Sequence, residues 1–168
     1  MNEVEIIYLD MDGVLCDFHT EFKIRAGVDT VQYEAEHGTK KFWEFINEQG
    51  ISFWSEMAPM KDMDELKSFV FDNFLEIGIL SSSSRKNGSI HAEEGKRLWL
   101  QKHNFTSEIK DNNIIIVDSA RDKQNYAKPG RILVDDYVRN INSWKERGGI
   151  GIKHVNAKKT ISELYKYV

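Results

Sequence analysis

The fold of this chain is set by residues 4–13, which read Val-Glu-Ile-Ile-Tyr-Leu-Asp-Met-Asp-Gly. The apolar, β-rich part of this segment ends at Leu9 and is followed at once by two aspartates within residues 10–13. A short continuous apolar run of this kind is typical of a buried strand. The segment therefore predicts a strand that delivers carboxylates to its C-terminal end, where Gly13 permits a turn and a close approach of the backbone to a ligand.

The same pattern recurs along the chain, where further short apolar runs predict strands. These runs cover residues 76–80, 113–117, 131–134 and 151–155. Helix-like segments alternate with them and cover residues 89–103, 138–147 and 160–167. In the first of these helices, Ile90, Leu98 and Leu100 are apolar positions among charged ones. This alternation predicts an α/β fold, a Rossmann-like parallel sheet with helices on both faces.

Residues 17–75 break this alternation. Their aromatic residues fall at helical spacing, as at Phe42, Trp43, Phe45 and Ile46, and they contain no clear parallel strand. We expect a small, mostly helical cap inserted after the first strand. The predicted domains are an α/β core formed by residues 1–16 and 76–168, and a cap formed by residues 17–75.

Polar residues follow the predicted strands, at the edge of the sheet where ligands bind in such folds. Each of them has an ordinary structural explanation: a serine loop, a surface lysine or a turn that ends a strand. Their occurrence together favours phosphoryl transfer, which requires a metal ion, a compensating positive charge and hydrogen-bond donors. Carboxylate oxygens are suitable ligands for Mg²⁺. The candidates are Asp10, Asp12, Ser81, Lys123, Asp135 and Asp136.

Composition excludes several other functions. The 168 residues include 27 acidic and 23 basic ones, for a net charge of −4, and residues 17–75 alone hold twelve acidic and six basic residues. This balance argues against stable nucleic-acid binding or a membrane-surface role. No apolar run approaches the roughly 18–20 residues that span a bilayer. The single cysteine, Cys16, excludes a disulfide framework, so a cytoplasmic location is expected.

Residues 10–18, Asp-Met-Asp-Gly-Val-Leu-Cys-Asp-Phe, carry a resemblance to a known family. The chain resembles the haloacid dehalogenase (HAD) superfamily of phosphohydrolases, and this motif is similar to the opening motif of the 5′(3′)-deoxyribonucleotidases. The resemblance extends in order over nearly the whole chain. Its further positions are Phe53-Trp54, Ser81, Ala120-Arg121-Asp122-Lys123 and Val134-Asp135-Asp136.

The resemblance implies a two-step mechanism through an aspartyl-phosphate. Asp10 is expected to attack the phosphorus, while Asp12 protonates the leaving sugar oxygen and then deprotonates the hydrolytic water. Mg²⁺ is the implied cofactor. Its expected ligands are the Asp10 carboxylate, the Asp12 backbone carbonyl and Asp135, with Asp136 as a further candidate.

The resemblance also implies how the phosphoryl group is bound and where this chain departs from the family. Ser81, the N–H of Ser82 and Lys123 are expected to contact the phosphoryl oxygens. Nucleotidases usually follow the first of these serines with a small residue and a proline, which are absent here, so a different loop shape is expected in which Arg85 could reach the substrate. Ala120 stands where the family usually has threonine. These departures leave the chemistry intact and the choice of substrate open.

Three aromatic residues are implied to form an apolar wall for the base or sugar, namely Phe18, Phe53 and Trp54. Packing within the core of the cap is the alternative explanation for them. Stacking of a base on such a ring contributes roughly 1–3 kcal/mol.

The expected function is that of a Mg²⁺-dependent phosphomonoesterase acting on a small-molecule phosphomonoester, with deoxynucleoside monophosphates as the leading substrates. A phosphatase of sugar phosphates or other small phosphoesters is the nearest alternative. A polynucleotide-end phosphatase is disfavoured by the acidic cap, and a non-catalytic nucleotide-binding module by the complete set of predicted catalytic residues. A homodimer remains an open alternative to a monomer.

Overall fold

The computed structural model describes residues 4–168 and contains a parallel sheet of five strands. The strands are β1 (Ile6–Leu9), β2 (Ile77–Ser82), β3 (Ile114–Val117), β4 (Arg131–Asp135) and β5 (Ile150–Lys153), in the spatial order β3-β2-β1-β4-β5. Strand β1 is central, with Ile7 opposite Ile77 of β2 on one side and Ile132 of β4 on the other. The predicted parallel sheet is confirmed.

Eight α-helices accompany the sheet within residues 4–168. They are α1 (Phe18–Ala26), α2 (Thr30–His37), α3 (Thr39–Glu48), α4 (Ile51–Ser55), α5 (Met63–Asn73), α6 (Ala92–Lys102), α7 (Val138–Glu146) and α8 (Ala157–Leu164). Because side chains alternate across a strand, β1 serves two apolar clusters. Leu9 joins the cluster that contains Trp99 of α6, whereas Tyr8 joins the cluster on the other face, where its ring meets Trp144 of α7 edge-on at 6.1 Å. Helices therefore cover both faces of the sheet, as predicted.

Five helices, α1 to α5, lie between β1 and β2, which confirms a mostly helical insertion after the first strand. Aromatic packing holds its centre together, with the ring of Phe22 stacked on that of Phe42 at 4.9 Å. Phe42 and Ile46 are buried while Trp43 and Phe45 are half-buried, so α3 turns one side inward as its spacing predicts. Asp17 and Asp29 cap α1 and α2 by accepting backbone hydrogen bonds from the first turns.

The last helix of the insertion, α5, also packs against the sheet domain. Lys67 donates a hydrogen bond to the carbonyl of His103 at 3.1 Å, and the ring of Phe69 lies 5.0 Å from that of Tyr165. Asp62, at the N-terminal end of α5, accepts a 2.6 Å hydrogen bond from the N–H of Ala157. The domain boundary at residue 75 therefore stays a prediction, and residues 1–3 of the predicted core lie outside the described part of the chain.

Helix α6 buries only Leu100 of the three apolar residues noted in the sequence, and Ile90 precedes its first turn. Ile90 and Leu98 are 67% and 43% exposed. The buried residues share the helical spacing i, i+3, i+4, i+7, i+8 and are Ala92, Gly95, Lys96, Trp99 and Leu100. A small residue at the helix contact allows α4 to approach closely, and this approach decides the rotation of α6. Burying the stripe around Trp99 fills more space than burying the two exposed aliphatic residues would.

The contact between α4 and α6 depends on Gly95. A Cβ atom added there would lie 2.4 Å from the Cβ of Trp54 and 2.9 Å from the carbonyl oxygen of Ile51, both closer than real contacts. No helix of the described chain is both long enough and apolar enough to cross a membrane.

We predict that Gly95→Ala lowers the free energy of unfolding by about 1–3 kcal/mol, because the added methyl group overpacks the α4–α6 contact. Helix propensity alone would favour alanine by about 1 kcal/mol, so the sign of the change separates the two effects. Thermal and urea unfolding measure it, with the exposed Gln101→Ala in the same helix as the control. An increase in stability for Gly95→Ala would contradict the close approach.

Candidate active site

A cavity of about 340 Å³ lies at the carboxyl edge of the sheet, beneath the helical insertion. Asp10, Lys123 and Asp136 line it from the sheet side, and Phe18 and Trp54 line it from the insertion. The strands bring these residues together because β1 and its neighbour β4 are parallel and end at the same edge. The N–H of Asp10 extends this pairing by one more hydrogen bond, to the carbonyl of Val134 at 3.0 Å.

The centre of the site is a buried lysine between two buried carboxylates. Nζ of Lys123 lies 2.8 Å from Oδ1 of Asp10 and 2.7 Å from Oδ2 of Asp135. Burial opposes the charge of Lys123, but the carboxylates of Asp10 and Asp135 outweigh it and raise its pKa above the usual value. Lys123 is therefore a permanent cation at this site.

Asp135 is held in place by donors from the segment that follows β4. Its Oδ1 accepts a hydrogen bond from the N–H of Tyr137 at 2.8 Å, and its Oδ2 accepts one from Nδ2 of Asn140 at 3.0 Å. With Lys123 as a third partner, this fully buried carboxylate is fixed in orientation. Such fixed orientation is what a ligand to a metal ion requires.

Three carboxylates converge without a matching number of cations. One oxygen from each of Asp10, Asp135 and Asp136 can lie within 4.8 Å of the others. Burial and repulsion by Asp135 raise the pKa of Asp10 to about 7 and that of Asp136 to about 6. The donors are all oxygen atoms and their charge is incompletely balanced, so the residues fit a hard divalent cation such as Mg²⁺.

Gly13 makes room for this cluster. Its φ of +80° lies in the left-handed region, and a Cβ atom there would lie 2.2 Å from Oδ2 of Asp136. Any side chain at this position would displace that carboxylate. Gly13 was predicted to allow a close approach of the backbone, and the group that approaches it is the carboxylate of Asp136.

A second buried lysine, Lys96 of α6, was missed by sequence reasoning. Its Nζ donates hydrogen bonds to Oδ2 of Asp12 at 2.8 Å, to Oγ of Ser81 at 2.8 Å and to the carbonyl of Ser82 at 2.6 Å. All three donor positions of the ammonium group are thus used. Its position in the i, i+3, i+4 stripe with Trp99 was the signal that could have identified it, since a lysine on the buried face of a helix requires partners.

The predicted site residues divide into those at the cavity and those away from it. Asp10, Asp12, Lys123, Asp136, Phe18, Trp54 and Ser82 line the cavity. Asp135 and Ser81 are fully buried just behind it and are bonded to Lys123 and Lys96, respectively. The carboxylate of Asp12 faces Lys96 rather than the three-carboxylate cluster, so only its backbone carbonyl remains a candidate metal ligand.

Two predicted substrate-binding residues lie elsewhere. Phe53 is fully buried and packs edge-on against Phe18 and Trp54 at 5.4 Å and 5.2 Å, which agrees with the alternative explanation of cap core packing. Arg85 lines a different cavity, beside α6, and lies within ion-pair distance of Glu93 and Asp118. A direct role of either residue at this cavity is not supported.

Comparison with known proteins gives a fold-level result. No protein-family model matches the sequence, and no curated protein matches it. YfnB from Bacillus subtilis, named as a HAD-hydrolase and bound to magnesium, is similar in structure with a TM-score of 0.65 and 13% identity, over 98% of this chain and 99% of that one. L-2-haloacid dehalogenase from Xanthobacter autotrophicus, with chloropropionic acid covalently bound, gives 0.59 and 11% over 97% and 83%.

A phosphatase is also among the similar structures. D,D-heptose 1,7-bisphosphate phosphatase from Burkholderia thailandensis gives a TM-score of 0.53 and 9% identity over 95% of this chain and 97% of that one. At these identities the likeness establishes the fold, and this chain has the fold of HAD-superfamily hydrolases.

We predict that the affinity for Mg²⁺ decreases as the pH falls from 8 to 5.5. We also predict that Mg²⁺ binding releases protons in this pH range. The metal-free pKa values of about 7 for Asp10 and about 6 for Asp136 mean that these carboxyl groups hold protons in this range, and a metal ion must displace them. Calorimetry in two buffers of different ionisation enthalpy measures both the affinity and the number of protons released. The Asp136→Asn variant should bind Mg²⁺ more weakly and release fewer protons. An affinity of the wild type that is independent of pH would contradict the assignment of Asp10 and Asp136 as metal ligands.

Proposed function

We propose that this protein is a Mg²⁺-dependent phosphomonoesterase that hydrolyses small phosphoesters through an aspartyl-phosphate, with (deoxy)nucleoside monophosphates as the leading substrates. The observation that carries the proposal is the convergence of Asp10, Asp135 and Asp136 at the base of one cavity, with Lys123 paired to the first two. Phosphoryl transfer depends on positioning and on neutralising the charge of the transferred group. A site with carboxylates, a metal-binding geometry and a fixed lysine meets both demands.

Asp10 is the nucleophile in this proposal. Its Oδ1 accepts a hydrogen bond from the N–H of Met11 at 2.8 Å and pairs with Lys123. Oδ2 has no hydrogen-bond donor among the described residues and is the oxygen available to attack. In the first step this oxygen forms a bond to phosphorus as the phosphorus–oxygen ester bond breaks.

Asp12 moves the protons in both steps. In the first it donates a proton to the leaving oxygen, and in the second it accepts one from the water that attacks the phosphorus, which releases phosphate and restores Asp10. Lys96 holds the Asp12 carboxylate at the cavity wall by its 2.8 Å hydrogen bond. The buried lysine thereby limits the rotation of the group that must alternate between acid and base.

The phosphoryl group is held by donors from β2 and by Lys123. Ser82 lines the cavity and Ser81 does not, so Ser82 is the better-placed donor. Ser81 instead supports the site through its bond to Lys96. Mg²⁺ would be held by Asp10, Asp135 and Asp136, together with the Asp12 carbonyl, and would supply the positive charge that the phosphoryl oxygens and these carboxylates need.

A dehalogenase is the second reaction class among proteins with this fold. The carboxylate cluster favours the phosphoesterase. Three acidic groups beside one lysine disfavour an organic anion unless a divalent cation is bound, and a bound divalent cation is best matched by a doubly charged phosphoryl group. The phosphatase and the magnesium-bound hydrolase among the similar structures are consistent with this choice.

Aromatic side chains support a nucleotide as the substrate. Phe18, Trp43 and Trp54 line the cavity opposite the carboxylates. Phe18 and Trp43 are half-buried and expose ring surface for stacking, whereas Trp54 is 1% exposed and its indole N–H is buried. A sugar-phosphate phosphatase would use the same chemistry and is distinguished by its substrates.

We predict that the protein with Mg²⁺ releases phosphate from deoxynucleoside monophosphates faster than from sugar monophosphates, and that EDTA stops the reaction. Asp10→Asn should abolish turnover while the circular dichroism spectrum stays unchanged. Phosphate release is measured over a panel of 5′- and 3′-nucleotides, sugar phosphates and p-nitrophenyl phosphate. Undiminished turnover by Asp10→Asn would overturn the mechanism, and turnover of sugar phosphates alone would overturn the nucleotide assignment.

We predict that Lys96→Met lowers turnover of nucleotides by about 100-fold, the lower end of what general acid–base catalysis contributes. The loss should be smaller for p-nitrophenyl phosphate, because its leaving group needs little protonation by Asp12. Lys102→Met, at the exposed end of the same helix, is the control and should retain full activity. An equal loss on both substrates would indicate that Lys96 acts only through stability.

A further inference from the structure

A second cavity adjoins the candidate active site. Its volume is about 640 Å³, and it lies between the turn at 119–124 and the first turns of α7. Four residues line both cavities, namely Ser119, Ala120, Tyr137 and Asn140. A ligand bound at Asp10 can therefore extend into the second cavity without leaving the protein surface.

The charge of the second cavity is opposite to that of the first. Lys86, Arg121 and Arg139 line it, and no carboxylate does. Among residues 4–168, the only ion pair formed by these three cations is that of Lys86 with Asp122 at 3.3 Å. Within the described residues, neither guanidinium group lies within ion-pair distance of an acidic side chain.

This concentration of positive charge is unexpected in a chain of net charge −4. The stability of the fold does not require these three cations, because like charges repel one another and each cation is exposed. Arginine side chains present planar forks of donors that match phosphate and carboxylate groups. Gln124, Asn140 and Ser143 add neutral hydrogen-bonding groups to the same wall.

We propose that this second cavity binds a second anionic group, a phosphate or a carboxylate, carried by the substrate itself. The preferred substrate is then a phosphomonoester with a further anionic group, such as a nucleoside bisphosphate or a sugar bisphosphate. The proposal rests on the proposed phosphomonoesterase function and names its substrate class more narrowly. Arg121 and Arg139 bind the second group, while Asn140 joins the two cavities and also holds Asp135 at 3.0 Å.

The test compares kcat/KM for a deoxynucleoside 3′,5′-bisphosphate with that for the 3′- and 5′-monophosphates of the same nucleoside. A second pair, fructose 1,6-bisphosphate and fructose 6-phosphate, covers sugar substrates. The wild-type protein should prefer a bisphosphate by about tenfold, mainly through a lower KM, which corresponds to ~1.4 kcal/mol. Added salt should reduce the preference, since exposed charges are screened.

The double variant Arg121→Gln/Arg139→Gln should lose this preference. Arg147→Gln, at the far end of α7, is the matched control and should keep it. The proposal is overturned if wild type hydrolyses the bisphosphate and the monophosphates without a preference, or if the double variant and the control change the preference equally. It is also overturned if free inorganic phosphate raises monophosphate turnover to the bisphosphate level, because the cavity would then bind a separate effector.

A binding measurement separates this proposal from the proposed function. Asp10→Asn keeps both cavities, and calorimetry on this variant with Mg²⁺ compares the bisphosphate with the monophosphate without any turnover. Tighter binding of the bisphosphate that depends on Arg121 and Arg139 supports the second anion site, even if wild type hydrolyses neither compound. Equal binding overturns it, even if wild type hydrolyses both.

Discussion

The site depends on the placement of one ammonium group, that of Lys123, between the carboxylates of Asp10 and Asp135. A buried charge is tolerated only when it is paired, so these three side chains must be brought together by the backbone before any of them can be buried. The parallel pairing of β1 with β4 does this by ending both strands at the same level. Lys123 lies in the 3₁₀ helix Ala120–Tyr126, which follows β3. The ion cluster thus ties the end of the central strand to a neighbouring strand and a loop.

This cluster is stable but incompletely neutralised. One lysine faces three carboxylates, and the raised pKa values of Asp10 and Asp136 record the excess negative charge that burial makes costly. A protein selected for stability alone would replace one of these groups with an apolar or neutral residue. Their presence beside a glycine, Gly13, whose conformation and missing Cβ both accommodate Asp136, is typical of a site that binds a cation.

Residues that end strands could be predicted from the sequence, whereas the buried lysine of α6 could not. Asp10 and Asp135 each follow an apolar run directly, so a local pattern reveals both the strand and the side chain at its end. The burial of Lys96 depends on the rotation of α6. The exposed Leu98 obscures this rotation, and the contact at Gly95 accompanies it. That contact is made with residues more than forty positions away, and no local pattern encodes it.

The short helix α4 illustrates the same limit at the wall of the cavity that the insertion forms. Phe53 and Trp54 are adjacent in sequence, and a helix directs neighbouring side chains about 100° apart, so only one of them can face the cavity. Packing against Gly95 places Trp54 over the ammonium of Lys96, 5.3 Å from the ring, and sends Phe53 into the core. A single close contact between two helices therefore orients an aromatic wall, a buried lysine and, through that lysine, the carboxylate of Asp12. The position of the Asp12 carboxylate is in this way set by packing between the insertion and the sheet domain.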